Sequence, residues 1–499
     1  MGRSRTSSYI VEYRLAFNDD NPMSVLQKLD RIAAAIYNDV LNEGLKRMHR
    51  LDLDSTYQET LVLYKRLLAK EKRDRKLSKA DTAIKTQLSD YLRDANKAYG
   101  FTEYSLHAYV AKPKHYFHDV LGINECQKLA TRAYNALWKL HTGKAEKVHF
   151  KRRHELISIE NKCNNYGIRF DRKKMSVIYR SYEFPVIVKK NDEYAQLALL
   201  DRVKYVKLKP RMIRGRLRWY VQLVFEGVPP QKKHRCGDST AQGIDIGVST
   251  IAISNKNKVI MKELAPECQA DARKLRIIEW KMDRSKRAIN PQNYSKNGTV
   301  RKGRLKWKFS KSYRTLKAKR ADIYRRMAAK RKASHEQLAN EIIASGTDIR
   351  VEKMQFNGLQ HRTKKTTKNK NGKCNSKKRF GKTIGERAPA MLLSIIDRKL
   401  KYYGLELKKV DTAKVRASQY NPLDESFHRK DLKDRMIELA PGIIVQRDML
   451  SAYILEHTNS DLKSINRTSC RKDFDRFLDL QNKEIKRLKE NGQLSWYLY

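Results

Sequence analysis

The sequence predicts a multidomain protein of mixed α+β structure, and two changes of pattern along the chain support that prediction. From about residue 21 to 145 apolar residues recur at helical spacing, whereas 146–232 is rich in short strands and turns. From residue 233 onward strands and helices alternate, as in an α/β domain. A length of 499 residues fits roughly three domain-sized units.

The N-terminal half opens with a predicted strand at 8–17, followed by helices with basic faces. The clearest helical spacing lies between Met23 and Met48. Two hairpins are predicted after residue 146, one turning at Asp171–Lys174 and the other at Arg214–Gly215. Period-two alternation places four residues of the last strand on one face: Trp219, Val221, Leu223 and Phe225.

The C-terminal half contains two predicted helix-to-strand units. Ser334 and Gln337 form a predicted capping box for the first helix, which Gly346 ends before the strand 348–353. The second unit spans 389–410. Upstream, the sequence GIDIGVSTIAIS (243–254), the turn NKNK and VIM predict a β-hairpin.

The charge of the chain indicates a polyanionic partner. The 108 Lys and Arg residues exceed the 55 Asp and Glu residues by a formal net charge of +53. A compact body with that excess repels itself unless a polyanion offsets it, and nucleic acid is the abundant polyanion. The segment 301–333 alone holds 15 Lys or Arg in 33 residues and is predicted to be helical. A solvated surface remains the alternative reading of any single basic run.

Three carboxylates need a structural explanation. Asp245 lies in a strand among apolar neighbours, Glu352 ends a later strand, and Asp448 opens an apolar helix. Burial of a carboxylate costs free energy unless it is paired or binds a cation. Three carboxylates brought together by two strands and a helix can hold two Mg²⁺ ions about 4 Å apart, the arrangement that cleaves phosphodiesters.

Each carboxylate also has another interpretation. The segment around Asp245 fits the first phosphate loop of the actin and sugar-kinase ATPase fold, Glu352 could be a solvated strand end, and Asp448 could cap its helix. The sequence shows no convincing second or third nucleotide-binding loop. A net charge of +53 also does not suit a small-molecule kinase.

These segments resemble the TnpB proteins of insertion sequences and the compact type V CRISPR effectors related to them. GIDIGVSTIAIS is similar to the first RuvC motif of that family, IRVEKMQFNGL (349–359) to the second, and VQRDMLSAYIL (445–455) to the third. The resemblance covers most of the chain but is specific only in its C-terminal half. It implies that Asp245, Glu352 and Asp448 are catalytic and bind Mg²⁺, with Mn²⁺ as an alternative ion.

The resemblance also implies a domain plan. It predicts a wedge β-barrel from 1–20 and 146–232, and a helical recognition domain inserted at 21–145. A ribonuclease H-like (RuvC) α/β nuclease domain is predicted from 233–410 and 445–499. The stretch 411–444 would be a remnant of the target-nucleic-acid-binding insertion. Family members usually carry a four-Cys zinc ribbon here, and 411–444 has no cysteine and a single histidine, so no structural zinc is expected. A metal-free version held together by Tyr420, Phe427 and Leu432 is expected instead.

The implied activity is RNA-guided DNA cleavage, with guide RNA and target DNA as partners. The single RuvC site would cut both strands, after recognition of a short adjacent motif. Basic residues predicted to contact nucleic acid lie in 301–333 and in a loop at 361–382 that corresponds to the family's lid. They are Lys306, Lys308, Lys311, Arg314, Lys317, Arg325, Arg326, Lys364, Lys365, Lys377, Lys378 and Arg379.

Other functions stay open at this stage. A guide-dependent repressor would bind without cutting, a transposase would transfer strands, an unguided nuclease would need no RNA, and a structural RNA-binding protein would use no carboxylate. The six cysteines are scattered, without a CxxC pair, and no apolar stretch is long enough to cross a bilayer. The expected location is the prokaryotic cytoplasm, near the nucleoid, with no membrane partner.

Overall fold

A computed structural model describes residues 7–17, 21–74, 77–152, 155–230, 236–361, 367, 380–429 and 434–493. The chain forms two compact units, Met1–Pro230 and Gln231–Tyr499. No helix of the described residues is long and apolar enough to span a membrane.

The described residues of the first unit form seven helices and one antiparallel sheet. Its helices are α1 (Asn21–Asp52), α2 (Ser55–Asp74), α3 (Lys79–Ala98), α4 (Glu103–Tyr109), α5 (Ala111–Tyr116), α6 (Ile123–His141) and α7 (Glu193–Ala198). Its strands are β1 (Ser8–Leu15), β2 (Ile159–Glu160), β3 (Arg169–Asp171), β4 (Ser176–Tyr179), β5 (Tyr182–Ile187), β6 (Val203–Ile213) and β7 (Arg216–Glu226).

The seven strands follow the order β2-β6-β7-β1-β5-β4-β3, so the N-terminal strand pairs in the middle of the sheet. Both predicted hairpins, β3–β4 and β6–β7, are confirmed. The predicted face of β7 is also confirmed, because Trp219, Val221, Leu223 and Phe225 are all buried. β2 and β3 form the two edges, and no pairing between them closes a barrel among the described residues.

The second unit is built on a five-stranded mixed sheet. The five strands of this sheet are β8 (Ala241–Ile246), β9 (Thr250–Asn255), β10 (Lys258–Glu263), β11 (Asp348–Glu352) and β12 (Lys408–Val410). Two further strands, β13 (Met436–Ala440) and β14 (Ile443–Gln446), pair with each other. Its helices are α8 (Gln269–Ile289), α9 (Lys311–Ala344), α10 (Phe356–Gln360), α11 (Gly381–Arg387), α12 (Pro389–Lys401), α13 (Thr412–Val415), α14 (Arg447–Glu456), α15 (Arg467–Lys472) and α16 (Phe474–Glu490).

The five strands follow the order β10-β9-β8-β11-β12, and β9 alone among them runs against the others. One face of the sheet packs on α9 and α12 through residues such as Ile244, Val351, Ile342 and Ile396. A second core, around Tyr453 and the other buried residues of α14 and α16, covers the opposite face. The sheet is therefore the middle layer of three.

The structure corrects two local predictions. The sequence 243–254 forms two strands rather than one, because the chain turns at 247–249 and Gly247 N donates to Thr250 O at 2.9 Å. The capping box predicted at Ser334 is wrong, since Ser334 lies inside α9, whose cap is Ser310. Ile323 and Met327, which lie before the predicted helix start at Ser334, are buried, so the apolar contacts of α9 begin upstream of that position. Residues 301–310, which were predicted to be helical together with 311–333, lie before this helix and are not helical.

The stretch 411–444 keeps a small packed centre without cysteine ligands. Tyr420 and Phe427 form an isolated antiparallel bridge, and their ring centroids lie 5.2 Å apart. The Arg416 guanidinium lies 4.3 Å from the Phe427 ring centroid. Aromatic and cation–π contacts therefore hold this stretch together. Leu432, which the sequence suggested as a further member, lies outside the described residues.

Candidate catalytic site

Asp245 lies near the end of the central strand of the sheet. β8 pairs with β9 on one side, where Asp245 is opposite Ala252, and with β11 on the other. Its neighbours Ile244 and Ile246 are buried on the face that packs on α9 and α12. Because side chains alternate along a strand, Asp245 points to the other face, the one that α14 covers.

Glu352 lies beside Asp245 on that same face. β11 runs parallel to β8 with Val351 opposite Ile244, so the next register position pairs Glu352 with Asp245. Neighbouring strands are about 4.8 Å apart. Val351 is buried on the face toward α9, and alternation turns Glu352 to the face of Asp245. Two carboxylates thus leave adjacent parallel strands side by side.

Asp448 belongs to the first turn of α14 and is not the cap of that helix. The cap is Gln446, whose side-chain oxygen accepts from Met449 N at 2.8 Å. α14 crosses the face that bears Asp245 and Glu352, with its C-terminal half against Gly243. This direction brings the N-terminal turn of α14 toward the carboxylates.

The surroundings of Asp245 disfavour its ionised form. Burial raises the pKa of Asp245 well above its ordinary value, and the charges of Asp448 and Glu352 raise it further. Arg447 and the side chain of Ser451 oppose that rise. Burial also raises the pKa of Glu352. A site that disfavours ionised carboxylates in this way gains free energy when a cation enters it.

Two guanidinium groups occupy part of the surroundings of Asp448. Arg447 Nε donates to Asp448 Oδ1 at 3.1 Å, and Arg435 Nη1 lies 3.8 Å from Asp448 Oδ2. With the side chains in these positions, no three Asp, Glu, His or Cys residues of the described chain converge closely enough to hold a metal ion. The backbone brings the three carboxylates together, while the Asp448 side chain is turned to arginine.

Gly243 makes the approach of α14 possible. A Cβ atom at this position would lie 1.8 Å from the carbonyl oxygen of Ala452 and 2.4 Å from Glu456 N, both backbone atoms of α14. Only a residue without a side chain allows helix and strand to pack at this distance. Sequence reasoning did not identify Gly243, although it precedes Asp245 by two residues and therefore lies on the same face of β8.

Arg350 fixes the other end of α14 to the sheet. It lies on β11, two residues before Glu352, and its Nη1 donates to the carbonyl oxygens of Glu456 (2.8 Å) and Thr458. Asp348 holds the guanidinium in place, with Nη2 2.6 Å from Oδ2. A positive charge at the last carbonyls of a helix also interacts favourably with the negative end of the helix dipole. The strand that carries Glu352 thus positions the helix that carries Asp448.

The predicted basic residues of 301–333 separate into two groups. Lys306, Lys308, Lys311, Arg314 and Lys317 are exposed. Arg325 and Arg326 instead pair with Asp322, at 2.7 and 3.4 Å, so their charge is partly neutralised within α9. Lys364, Lys365, Lys377, Lys378 and Arg379, and with them most of the predicted lid, lie outside the described residues.

The raised pKa of Asp245 predicts that the metal-free protein is more stable with an amide at this position. An acid whose pKa is raised by folding holds its proton more tightly in the folded chain, so the unfolding free energy falls as pH rises through the raised pKa. Without metal at neutral pH, Asp245→Asn should therefore melt higher than the wild type, by roughly 2–4 °C for each kcal/mol of cost removed.

Thermal unfolding in EDTA, followed from about pH 4 to about pH 8, measures this difference. The gap between variant and wild type should close toward the acidic end, where the wild-type carboxyl is protonated. Asp479→Asn, at an exposed position of α16, is the matched control and should show no such gap. A gap that stays constant across the pH range would contradict the coupling.

Carboxylates on two adjacent parallel strands and on the helix that covers them define an acidic site at the C-terminal ends of the central strands of a mixed sheet. No family model matches the sequence, and no curated protein matches it. Two solved structures are similar at low identity. One is a cryo-EM structure of a Cas12f1–sgRNA–target DNA complex, with 12% identity, a TM-score of 0.38, and coverage of 91% of this chain and 99% of that chain.

The second is a cryo-EM structure of a CRISPR–Cas12f ternary complex, with 15% identity and a TM-score of 0.26. The match covers 89% of this chain and 82% of that chain. Neither superposition is close enough to establish a common fold. The function proposed next depends on the site and on the sequence motifs.

Proposed function

We propose that this protein is an RNA-guided DNA endonuclease that cleaves its target by two-metal phosphodiester hydrolysis at a single RuvC-type site. The observation that carries the proposal is the placement of Asp245 and Glu352 side by side on one face of the sheet, with Asp448 on the helix that covers that face. The order of the five strands, with the second one reversed, supports a ribonuclease H-like assignment of this unit.

Asp245, Glu352 and Asp448 would hold the ions. Bound Mg²⁺ activates a water and stabilises the leaving oxygen. To complete this site, the Asp448 side chain turns away from Arg447 and Arg435, which its partial exposure of 14% permits. Arg447 would then lose this contact, and its guanidinium could bind oxygens of the reacting phosphate.

RNA guidance is supported by the motifs that resemble the TnpB and type V effector family and by the distribution of charge. The excess of 53 positive charges is spread over many segments of both units rather than confined to one groove. A guide pairs with one DNA strand, and the protein holds the heteroduplex by its shape and backbone. The helices and sheet of the first unit would read the short motif beside the target.

The experiment that tests this proposal begins with expression of the protein together with its flanking genomic DNA. RNA that copurifies is sequenced, and its variable end is then reprogrammed to a plasmid target beside a randomised flank. We expect one discrete RNA, and cuts that depend on the match, on one flanking motif and on Mg²⁺, with loss of cutting in EDTA. No discrete RNA would contradict guidance. Cuts independent of the match would indicate an unguided nuclease.

One observation favours a second function, guided DNA binding without cleavage. Asp448 is paired with two arginines, as it would be in a site that never takes up metal. The same plasmids distinguish the two functions. Sequence-specific protection of the target in Mg²⁺, with no strand broken after long incubation, would identify a guided repressor.

A further inference from the structure

The two longest helices of the second unit form a basic hairpin that projects from the end of the sheet where Asp245 and Glu352 lie. We call this end, formed by the C-terminal ends of β8 and β11, the catalytic edge. β10 is parallel to β8, so it ends at the edge where Asp245 and Glu352 lie, and α8 follows directly. α9 ends at Ala344, just before β11 begins, and its C-terminal part packs along the sheet. The rest of α9 therefore extends past the same edge.

Simple geometry gives the length of this projection. α9 has 34 residues and β11 has five. At about 1.5 Å per helical residue and 3.3 Å per strand residue, α9 extends roughly 30 Å beyond the carboxylates. α8 pairs with it in antiparallel fashion, as the Asp271–Lys330 ion pair (3.0 Å) and the Tyr324–Glu279 hydrogen bond (3.2 Å) show.

The outward face of α8 presents apolar and cationic side chains together. The inward face buries Leu275 and Met282. The opposite face carries Arg273, Ile277, Trp280 and Arg284, all exposed and spaced at helical intervals. Trp280 is 61% and Ile277 is 49% exposed, and the Arg284 guanidinium lies 5.8 Å from the Trp280 ring centroid. We call these four residues the α8 stripe.

The positive charge around the α8 stripe indicates an anionic partner. α8 carries seven Lys or Arg and three acidic residues, and α9 carries ten and three. Tyr324 donates a hydrogen bond to Glu279, and Asp283 forms an ion pair with Arg287 at 2.7 Å. Two of the acidic groups near Trp280 are therefore already engaged. A flat, exposed indole among cations is the combination that binds unpaired nucleic acid, with the ring stacking on a base and the cations on phosphates.

We propose that the α8 stripe binds unpaired DNA at the catalytic edge, with a base stacked on Trp280. A duplex offers no free base face to an indole, so the strand must be single. It is DNA because the hairpin leaves from the edge where the cleaved strand would lie; this choice of strand rests on the function proposed above. Trp280 is about 16 Å along α8 from its start, within a few nucleotides of the carboxylates.

The test uses the full chain in EDTA and a fluorescein-labelled oligo(dT). Trp280→Ala should weaken oligo(dT) binding about tenfold, whereas Trp280→Phe should retain it, because a phenyl ring also stacks. An abasic oligomer of equal length carries the phosphates without bases, so its affinity should be the same for all three proteins. Tyr104→Ala, at an exposed aromatic residue of the first unit, is the control and should bind oligo(dT) normally.

Three outcomes would overturn the inference. They are an unchanged oligo(dT) affinity in Trp280→Ala, an equal loss of affinity for the abasic oligomer, or, in the same assay with oligo(U) or duplex DNA, a larger loss of affinity than for oligo(dT). Because no metal is present, a protein that never cleaves still gives a clear result. Failure of the proposed function would instead appear as normal stacking without cuts in the plasmid assay.

Discussion

Asp245→Asn is expected to reduce target cleavage by about a thousandfold or more while leaving DNA binding intact. The amide keeps the shape of the side chain but removes the negative charge beside Glu352. An Asn oxygen is a weak ligand for a hard cation. Single-turnover cleavage and gel-shift affinity, measured with the same guide and target, separate the two effects.

The matched control for this substitution is Asp479→Asn, which makes the same chemical change on an exposed face of α16. It should cut at the wild-type rate. If Asp245→Asn retained more than about a tenth of that rate, the carboxylate would not be a metal ligand and the proposed chemistry would fail. Combined with the higher melting temperature expected without metal, the variant would also show that the site lowers stability for the sake of activity.

Gly243→Ala is expected to lower cleavage by roughly a hundredfold through a change of position alone. The added Cβ would overlap the carbonyl oxygen of Ala452, and neither backbone can yield without moving. Relief of the overlap shifts α14, and with it Asp448, by an ångström or more. Displacements of this size at a reacting centre cost on the order of a hundredfold in rate. Single-turnover cleavage and thermal unfolding measure the effect, and we expect a lower melting temperature as well.

Gly358→Ala is the control, because Gly358 is helical, lacks positive φ and has nothing within 4 Å of its added Cβ. This variant should behave like the wild type in both assays. Raising the Mg²⁺ concentration should partly restore cleavage by Gly243→Ala, since mass action offsets weakened binding. Wild-type activity in Gly243→Ala would show that the contact between β8 and α14 does not position Asp448.

The sequence predicted the carboxylates because their local setting is unusual. Asp245 stands among isoleucines with strict alternation, and Asp448 follows a strand and opens an apolar helix, so each residue could be placed from its neighbours alone. Their convergence, however, required a parallel pairing of β8 with β11. That pairing depends on sheet order, which the sequence supplied through the resemblance and not through its periodicity.

The features that the sequence did not predict depend on partners far along the chain. Gly243 meets α14 and Arg350 meets Glu456, each about one or two hundred residues away. The capping box predicted at Ser334 was wrong for a different reason. Ser334 and Gln337 form a valid local signal for a helix start. Packing of Ile323 and Met327 on α8 stabilises a helix through Ser334 and overrides that signal.

The chain order of the site has a consequence for the newly synthesised protein. Asp245, Glu352 and Asp448 are each separated by about a hundred residues, and Arg350 cannot bind the end of α14 until Thr458 exists. Strands β8 to β11 can pair on the ribosome, but α14, the helix that covers them, is synthesised about a hundred residues later. A nascent chain would therefore acquire its basic hairpin well before its third carboxylate. Association with nucleic acid during translation would precede any capacity to cut it.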